Sequence, residues 1–247
     1  LFKRSSRGVT LTPDGELLFE KVKEALFLLD EGENSIRHNR SRDIPKLRLG
    51  ASSTLTRYVL LSHLENYIAH FPHVRITISC QSTYQTLHLL DEEKIDLGLI
   101  GRPQKLRGYY FHPLLKIRDT FVCTRQYLEN QKKLYPDEPL IQAATFMMLD
   151  EDNITRQTVN AQLKEHHVEL SHILEVTTMD LLIQFAEIGL GIACVIRDFV
   201  KKELEEGTLV EVPVGFSFPP REIGFVCRQK DANLDLIVPF FGDRQGN

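Results

Sequence analysis

The sequence predicts an α/β protein with open parallel sheets. Two series of strand-like runs alternate with helical patterns along the chain, which is the βαβ rhythm of a parallel sheet. The 247 residues suffice for one large or two smaller domains, with 42% hydrophobic and 26% charged residues, an ordinary globular balance. No apolar run approaches the roughly 18 residues that span a bilayer. Nothing at the start of the chain resembles an export leader.

The first 12 residues predict the end of a basic two-stranded hairpin. Lys3, Arg4 and Arg7 cluster near Gly8, which allows a tight turn, and apolar and polar residues alternate up to Thr12. A few basic residues at a surface are usually only solvated. The net charge of −4 gives no global field that would attract nucleic acid.

A long helix is predicted from Pro13 to about residue 38. Thr12 suits the N-cap, and Pro13 suits the first helical position. The apolar stripe of this helix has no core of its own, so it predicts a partner helix in a coiled-coil-like dimer. Polar residues 37–44, which end at Pro45, are interpreted as a linker. The stripe consists of Leu17, Leu18, Val22, Ala25, Leu26, Leu29 and Ile36.

The first α/β series begins at Lys46 with a strand, a polar turn and a long helix that ends before Pro72. Ser52, Ser53 and Thr54 lie where the strand leads into the helix. Free N–H groups and the helix dipole make such a position suitable for an anion, although a serine there also simply caps the helix. A strand at 74–80, a helix from Ser82 or Thr83 to about Glu93 and a strand at 95–100 complete the series.

The second series follows the apolar runs of residues 110–124. It comprises a strand at 146–149, a helix capped by Asp152 or Asn153, a strand at 171–176, a helix at 179–188 and a strand at 192–196. Two further strands, at 209–212 and 223–227, and a terminal helix at 233–241, which Pro239 shortens, end the pattern.

Three stretches resemble a known family. Residues 1–16, LFKRSSRGVTLTPDGE, resemble the end of the winged helix-turn-helix domain of LysR-type transcriptional regulators, where a basic wing precedes an L-T-x-x-G-E pattern that opens a linker helix. EKIDLGLIG at 93–101 and TTMDLLIQFAEIGLGIACV at 177–195 are similar to two more family patterns. Ile196 stands where the family usually has proline. The resemblance extends over the whole chain.

The resemblance implies two Rossmann-like lobes of the type 2 periplasmic-binding-protein kind, preceded by a long linker helix. It implies a transcriptional regulator in the cytoplasm that binds DNA, most of whose DNA-binding domain would precede Leu1. Lys3, Arg4 and Arg7 would then contact DNA phosphates from the wing. Self-association as a dimer or tetramer is expected, RNA polymerase is a further candidate partner, and no membrane contact is expected. The domains would be the wing remnant 1–12, the linker or dimerisation helix and hinge 13–45, lobe I at 46–118 plus 227–247, and lobe II at 119–226.

A ligand site is predicted where the strands of the open sheets end, because open parallel sheets bind ligands at the carboxyl ends of their strands. Hydroxyls, helix N-termini and an arginine suit a small oxyanion or carboxylate, with Arg102 as its forked partner. The acidic residues 150–152 would repel an anion, and a zwitterion or an amine-bearing ligand would fit both groups of residues. The predicted effector-binding residues are Ser52, Ser53, Thr54, Thr83, Gly101, Arg102 and Thr178.

Catalytic and metal-binding motifs are not found in the sequence. The nine histidines are scattered, the four cysteines lie far apart, and no nucleophile elbow, P-loop or zinc spacing is present. We therefore expect no enzyme activity, cofactor or metal. A solute-binding protein and an enzyme on the same two-lobed scaffold are the alternatives, which the sequence upstream of Leu1 would distinguish.

Overall fold

The computed structural model describes residues 1–5, 8–19, 21–22, 25 and 44–241. The chain divides into two compact units, Leu1–Pro45 with His73–Arg75, and Lys46–Pro72 with Ile76–Asn247. Among the described residues, no helix is both long and apolar enough to cross a membrane.

The first unit contains the predicted hairpin. Strands β1 (Phe2–Ser5) and β2 (Gly8–Leu11) pair antiparallel. Described residues 13–19, 21–22 and 25 are helical and form α1. The Thr12 hydroxyl accepts a hydrogen bond from the Gly15 amide at 3.1 Å, which confirms the predicted N-cap. Arg7, the side chain of Arg4 and residues 26–43 lie outside the described part of the chain, and with them most of the predicted linker.

The described residues from Lys46 onward form two five-stranded mixed sheets. The strands are β3 (Lys46–Ala51), β4 (Arg75–Cys80), β5 (Leu97–Gly101), β6 (Tyr109–Ile117), β7 (Asp119–Cys123), β8 (Thr145–Met148), β9 (His172–Glu175), β10 (Ile192–Ile196), β11 (Val210–Glu211) and β12 (Arg221–Arg228). The first sheet has the order β4-β3-β5-β12-β6, and the second has the order β11-β7-β10-β8-β9. We call each sheet with its helices lobe I and lobe II, respectively.

Both sheets combine parallel and antiparallel pairs. In lobe I, β3 and β5 are parallel, whereas β12 runs antiparallel to β5 and to β6. In lobe II, β8 is parallel to β9 and β10, and β7 is antiparallel to β10 and β11. The βαβ series predicted the parallel strands, because their crossover helices are visible in the sequence, but not the antiparallel ones.

Helices follow most of the predicted bounds. They are α2 (Ser53–Leu55), a π-helical turn (Thr56–Leu60), α3 (Leu61–His70), α4 (Thr83–Asp91), α5 (Arg125–Leu134), α6 (Leu140–Ala143), α7 (Ile154–Glu165), α8 (Met179–Glu187) and α9 (Lys201–Glu206). The predicted terminal helix at 233–241 is wrong, because only the 3₁₀ turn Val238–Phe241 forms there. Pro239 removes an amide donor that a helix would need.

The chain passes between the lobes at two places. β6 ends at Ile117 and β7 begins at Asp119, so the first passage lies between them. The second comes before Arg221, where β12 joins the lobe I sheet, and not at the predicted return at residue 227. Alternation of residues identified the strand at 223–227 but could not show which sheet it joins, since partner choice depends on residues far away in sequence.

The cores of the lobes lie on the sheet faces. Every residue of β5 is buried, which is typical of a strand covered on both faces. In lobe II, the ring of Phe121 meets that of Phe146 edge to face, with centroids 5.2 Å apart, and both side chains are fully buried. These rigid sheets fix where their strand ends, and the loops that follow them, are placed.

Candidate effector site between the lobes

A narrow cleft lies where strand ends of the two lobes meet helix N-termini. Its volume is about 30 Å³, which suffices for a water molecule but not for an organic molecule. Residues of both lobes line it: Ser52, Thr54, Leu55, Ser82, Thr83, Gly101, Leu149, Asn153, Ile154, Thr155, Met179, Ile196, Arg221 and Ile223.

Helices of both lobes begin at the cleft with capped first turns. The Ser52 hydroxyl accepts from the Leu55 amide at 3.2 Å, and Ser82 forms a capping box with Gln85. In lobe II, Asn153 accepts from the Thr155 amide at 2.8 Å, and Met179 opens α8. The positive ends of these helix dipoles favour negative charge in the cleft.

Two threonines of lobe I line the cleft with unpaired hydroxyls. Thr54 is 9% exposed and Thr83 is 7% exposed, so both side chains are more than nine-tenths buried. Neither hydroxyl makes a hydrogen bond among the described residues, and neither oxygen is among the fully buried polar atoms, so both keep some access to solvent. The cleft therefore presents two hydroxyls that a bound molecule can satisfy.

The structure brings together four of the seven predicted effector-binding residues. Ser52, Thr54, Thr83 and Gly101 line the cleft. The other three, Ser53, Arg102 and Thr178, are not among its lining residues.

Each of these three side chains is engaged or directed elsewhere. Ser53 is exposed, and Thr178 caps α8 by accepting from the Leu181 amide at 3.4 Å. Arg102 pairs with Glu222 at 2.5 Å and lies 5.2 Å from the centre of the Phe111 ring. Arg102 is therefore not placed as the forked partner of a ligand in this cleft.

Arg221 is the cleft arginine that sequence reasoning missed. Its Nε and Nη2 donate to the two carboxylate oxygens of Asp119 at 2.7 and 2.8 Å, and Nη2 also donates to the Thr155 hydroxyl at 2.7 Å. The Asp119 side chain is 1% exposed and that of Arg221 is 13% exposed. This buried pair joins β12 of lobe I to β7 and α7 of lobe II.

Only the register in which β12 pairs antiparallel with β5 shows that Arg221 lies at the cleft. Ile223 pairs with Gly101, so the amino end of β12 lies beside the carboxyl end of β5. The rule for parallel sheets considers carboxyl ends alone and therefore passes over Arg221.

The acidic cluster at 150–152 does not reach the cleft. Asp150, Glu151 and Asp152 are exposed, and Leu149 before them lines the cleft. The buried Arg156 side chain stabilises the start of this turn, because its Nη1 donates a hydrogen bond to the Leu149 carbonyl at 2.8 Å. The repulsion of an anion that the sequence suggested is therefore absent from the cleft lining.

Contacts across the cleft rim hold the lobes together. The Tyr84 hydroxyl of α4 donates to the Gln157 side chain of α7 at 3.1 Å. Arg57 pairs with Asp180 of α8 at 3.4 Å. Burial, reinforced by the charge of Asp180, raises the pKa of the neighbouring Tyr58. These contacts explain why the cleft is nearly closed.

The cleft lining also lacks the groups of a catalytic or metal site. No histidine, cysteine, aspartate, glutamate or lysine is among its lining residues. Within the described part of the chain, no group of three His, Cys, Asp or Glu side chains is placed to hold a metal ion.

Residues 41–241 match the family model described as the LysR substrate binding domain. The chain belongs to the LysR family. It is thus a transcriptional regulator with an effector-binding domain. It is similar to the uncharacterized HTH-type transcriptional regulator YeiE of Escherichia coli strain K12, with 24% identity over 225 residues that cover 87% of this chain and 71% of YeiE.

Solved structures with the same fold include one with a bound bromide ion and one with a bound small molecule. The bromide-bound regulatory domain of HypT from Salmonella typhimurium has a TM-score of 0.61 at 17% identity, over 76% of this chain and 87% of that one. The effector binding domain of QuiR in complex with shikimate has a TM-score of 0.61 at 13% identity, over 80% and 94%. These likenesses show the two-lobed, type 2 periplasmic-binding-protein-like fold of this LysR-family regulator.

Proposed function

We propose that this LysR-family regulator binds its effector in the cleft between lobes I and II, in contact with Ser52, Thr54, Thr83 and Gly101. The hydroxyls of Thr54 and Thr83 carry the proposal, since both residues line the cleft and neither hydroxyl makes a hydrogen bond among the described residues. An effector that touches both lobes binds one arrangement of the lobes better than another, which is the requirement for shifting a regulator between states.

The solved structures support a small ligand of this kind. Shikimate, which is a carboxylate, is bound to QuiR, and bromide is bound to HypT. Helix N-termini around the present cleft suit the same charge.

The regulator would act on DNA from the cytoplasm as a dimer or tetramer, with RNA polymerase as a candidate partner. Lys3 is exposed on β1 of the basic hairpin and would contact a phosphate there. Arg4 and Arg7 would extend this contact. We propose no enzymatic role, because the cleft lining offers neither a nucleophile with a base nor an acid–base pair.

The test uses the full regulator with three variants in a ligand screen. Thr54→Val and Thr83→Val remove a cleft hydroxyl at almost constant shape, and Ser53→Ala removes an exposed hydroxyl beside them as the matched control. Ligands that raise the melting temperature of the wild type should bind each valine variant weaker by about 1 kcal/mol for the lost hydrogen bond.

The response of the serine control should match that of the wild type, and DNA binding without effector should persist in all three variants. An unchanged effector response in a Thr54→Val/Thr83→Val double variant would contradict the proposed site.

A further inference from the structure

The guanidinium of Arg221 has one nitrogen that no protein group uses. Nε and Nη2 are engaged by Asp119 and Thr155, whereas Nη1 has no hydrogen-bond partner among the described residues. Arg221 lines the cleft, and a Cβ atom built on Gly101 would lie 3.2 Å from Nη1. The bare glycine therefore leaves the space in front of this nitrogen open to the cleft.

We infer that Arg221 is the charge receptor of the effector site and that the effector carries an oxyanion, a carboxylate or a sulfate-like group. This inference rests on the proposed effector site. Nη1 offers two N–H donors in the cleft that Thr54 and Thr83 also line, and an oxyanion has enough lone pairs to accept from several such donors. Charge-assisted hydrogen bonds of this type are stronger than neutral ones.

The ion pair with Asp119 prepares Arg221 for this role. An arginine binds a carboxylate along its Nε–Nη2 edge with fixed geometry, which leaves Nη1 pointing in one direction. Asp119 belongs to β7 of lobe II and Arg221 belongs to β12 of lobe I. The ion pair between them therefore fixes the Arg221 side chain where the two lobes are in contact. A ligand on Nη1 would thus contact the group that links both lobes.

The same observations argue against a zwitterionic effector. The lining residues include no carboxylate that could receive an ammonium group, and the acidic residues 150–152 are exposed outside the cleft.

Because the cleft volume of about 30 Å³ holds little more than a water molecule, the lobes must separate to admit the anion and then close on it.

Inorganic sulfate is the probe for this inference. The full regulator is titrated with sodium sulfate against sodium chloride at equal ionic strength, and the melting temperature is followed. Sulfate stabilises folded proteins in general, so a specific site is recognised by saturation of the shift and by its loss in a variant.

The variant is Arg221→Gln/Asp119→Asn, which removes both charges of the buried pair and leaves no unpaired buried charge. The matched control is Arg102→Gln/Glu222→Gln, which removes another arginine–carboxylate pair next to Gly101. Sulfate affinity should fall by at least about tenfold in the first variant, as for the loss of a charge-assisted bond, and stay within about twofold of the wild type in the control.

Absence of a saturable sulfate shift in the wild type, or an equal shift in both double variants, would overturn the inference. The ligand screen keeps this result separate from the proposed function. If neutral ligands stabilise the wild type, lose affinity in Thr54→Val/Thr83→Val and keep it in Arg221→Gln/Asp119→Asn, the effector site stands and Arg221 is not its receptor.

Discussion

The ring of Tyr58 lies parallel to the ring of Phe199, with their centroids 4.3 Å apart and an angle of 5° between their planes. Tyr58 belongs to the π-helical turn of lobe I, and Phe199 belongs to the 3₁₀ turn Arg197–Val200 of lobe II. The stack therefore joins the lobes at the rim of the cleft, near the Arg57–Asp180 ion pair. Neither ring lines the cleft, so an effector would not displace the stack directly.

A double-mutant cycle tests whether this stack stabilises the closed arrangement. Tyr58→Ala, Phe199→Ala and the double variant are unfolded with urea, and the coupling free energy should be about 0.5–1.5 kcal/mol, as for other aromatic pairs. Small-angle scattering of the single variants should show a larger radius of gyration, because the lobes separate more easily. Additive effects of the two substitutions would mean that the rings touch without holding the lobes together.

Gly224 should tolerate a side chain far less well than Gly101. A Cβ on Gly224 would lie 2.2 Å from the His112 carbonyl oxygen, which is backbone of the neighbouring strand β6 and cannot move aside. Gly224→Ala should therefore lower the free energy of unfolding by at least about 1–3 kcal/mol, the usual cost of overpacking. The companion variant Gly101→Ala meets only the Arg221 and Ile154 side chains, at 3.2 and 3.4 Å, and should cost less. An equal decrease of the urea midpoint in Gly224→Ala and in Gly101→Ala would contradict this ranking.

One thiol per chain should react with Ellman's reagent in the folded protein. Cys80 is exposed, while Cys123, Cys194 and Cys227 are buried and free. Burial raises the pKa of Cys123 to about 12 and that of Cys227 to about 11, so these thiols stay protonated and unreactive. Unfolding in guanidinium should release the remaining thiols, and Cys80→Ser should abolish the reaction of the folded form. Rapid reaction of a second thiol without denaturant would show that a buried strand opens.

The stability of the protein should decline at mildly acidic pH in part through His112. Partial burial on β6 lowers the pKa of this imidazole below the ordinary value of 6.5 that it has in the unfolded chain. Between the two values the unfolded chain binds more protons, so this stabilising contribution is complete above about pH 6.5 and is lost as the pH falls through the folded-state pKa. Urea midpoints measured from pH 7.5 to 5 should fall less steeply in His112→Gln than in the wild type. Identical slopes would assign the acid sensitivity to other groups.

The sequence predicted the part of the site that depends on parallel strands. Ser52 follows β3, Thr83 follows β4, and Gly101 ends β5, so the rule that ligands bind at the carboxyl ends of parallel strands predicts that they lie together. Arg102 was assigned to the same place, but successive residues of an extended chain point to opposite sides, and its side chain lies with Glu222 and Phe111.

Arg221 could not be found in the same way. Its position depends on the pairing of Ile223 with Gly101, two residues that are far apart in sequence, and no local pattern encodes that register. The return of the chain to lobe I was misplaced for the same reason. The terminal helix failed because an apolar pattern at 233–241 outweighed the effect of Pro239, although proline removes a helix donor.

The interior place of β12 in the lobe I sheet has a consequence for synthesis on the ribosome. The strands of lobe II lie between Asp119 and Glu211 and its core extends to Phe218, so this lobe can fold as soon as residues 119–218 have left the exit tunnel. Lobe I has to wait, because β12 sits between β5 and β6 and is among the last segments to be translated. Until then the nascent chain exposes two unpaired edges of a hydrophobic sheet, which makes the first-made lobe the last to fold and the one most in need of a chaperone.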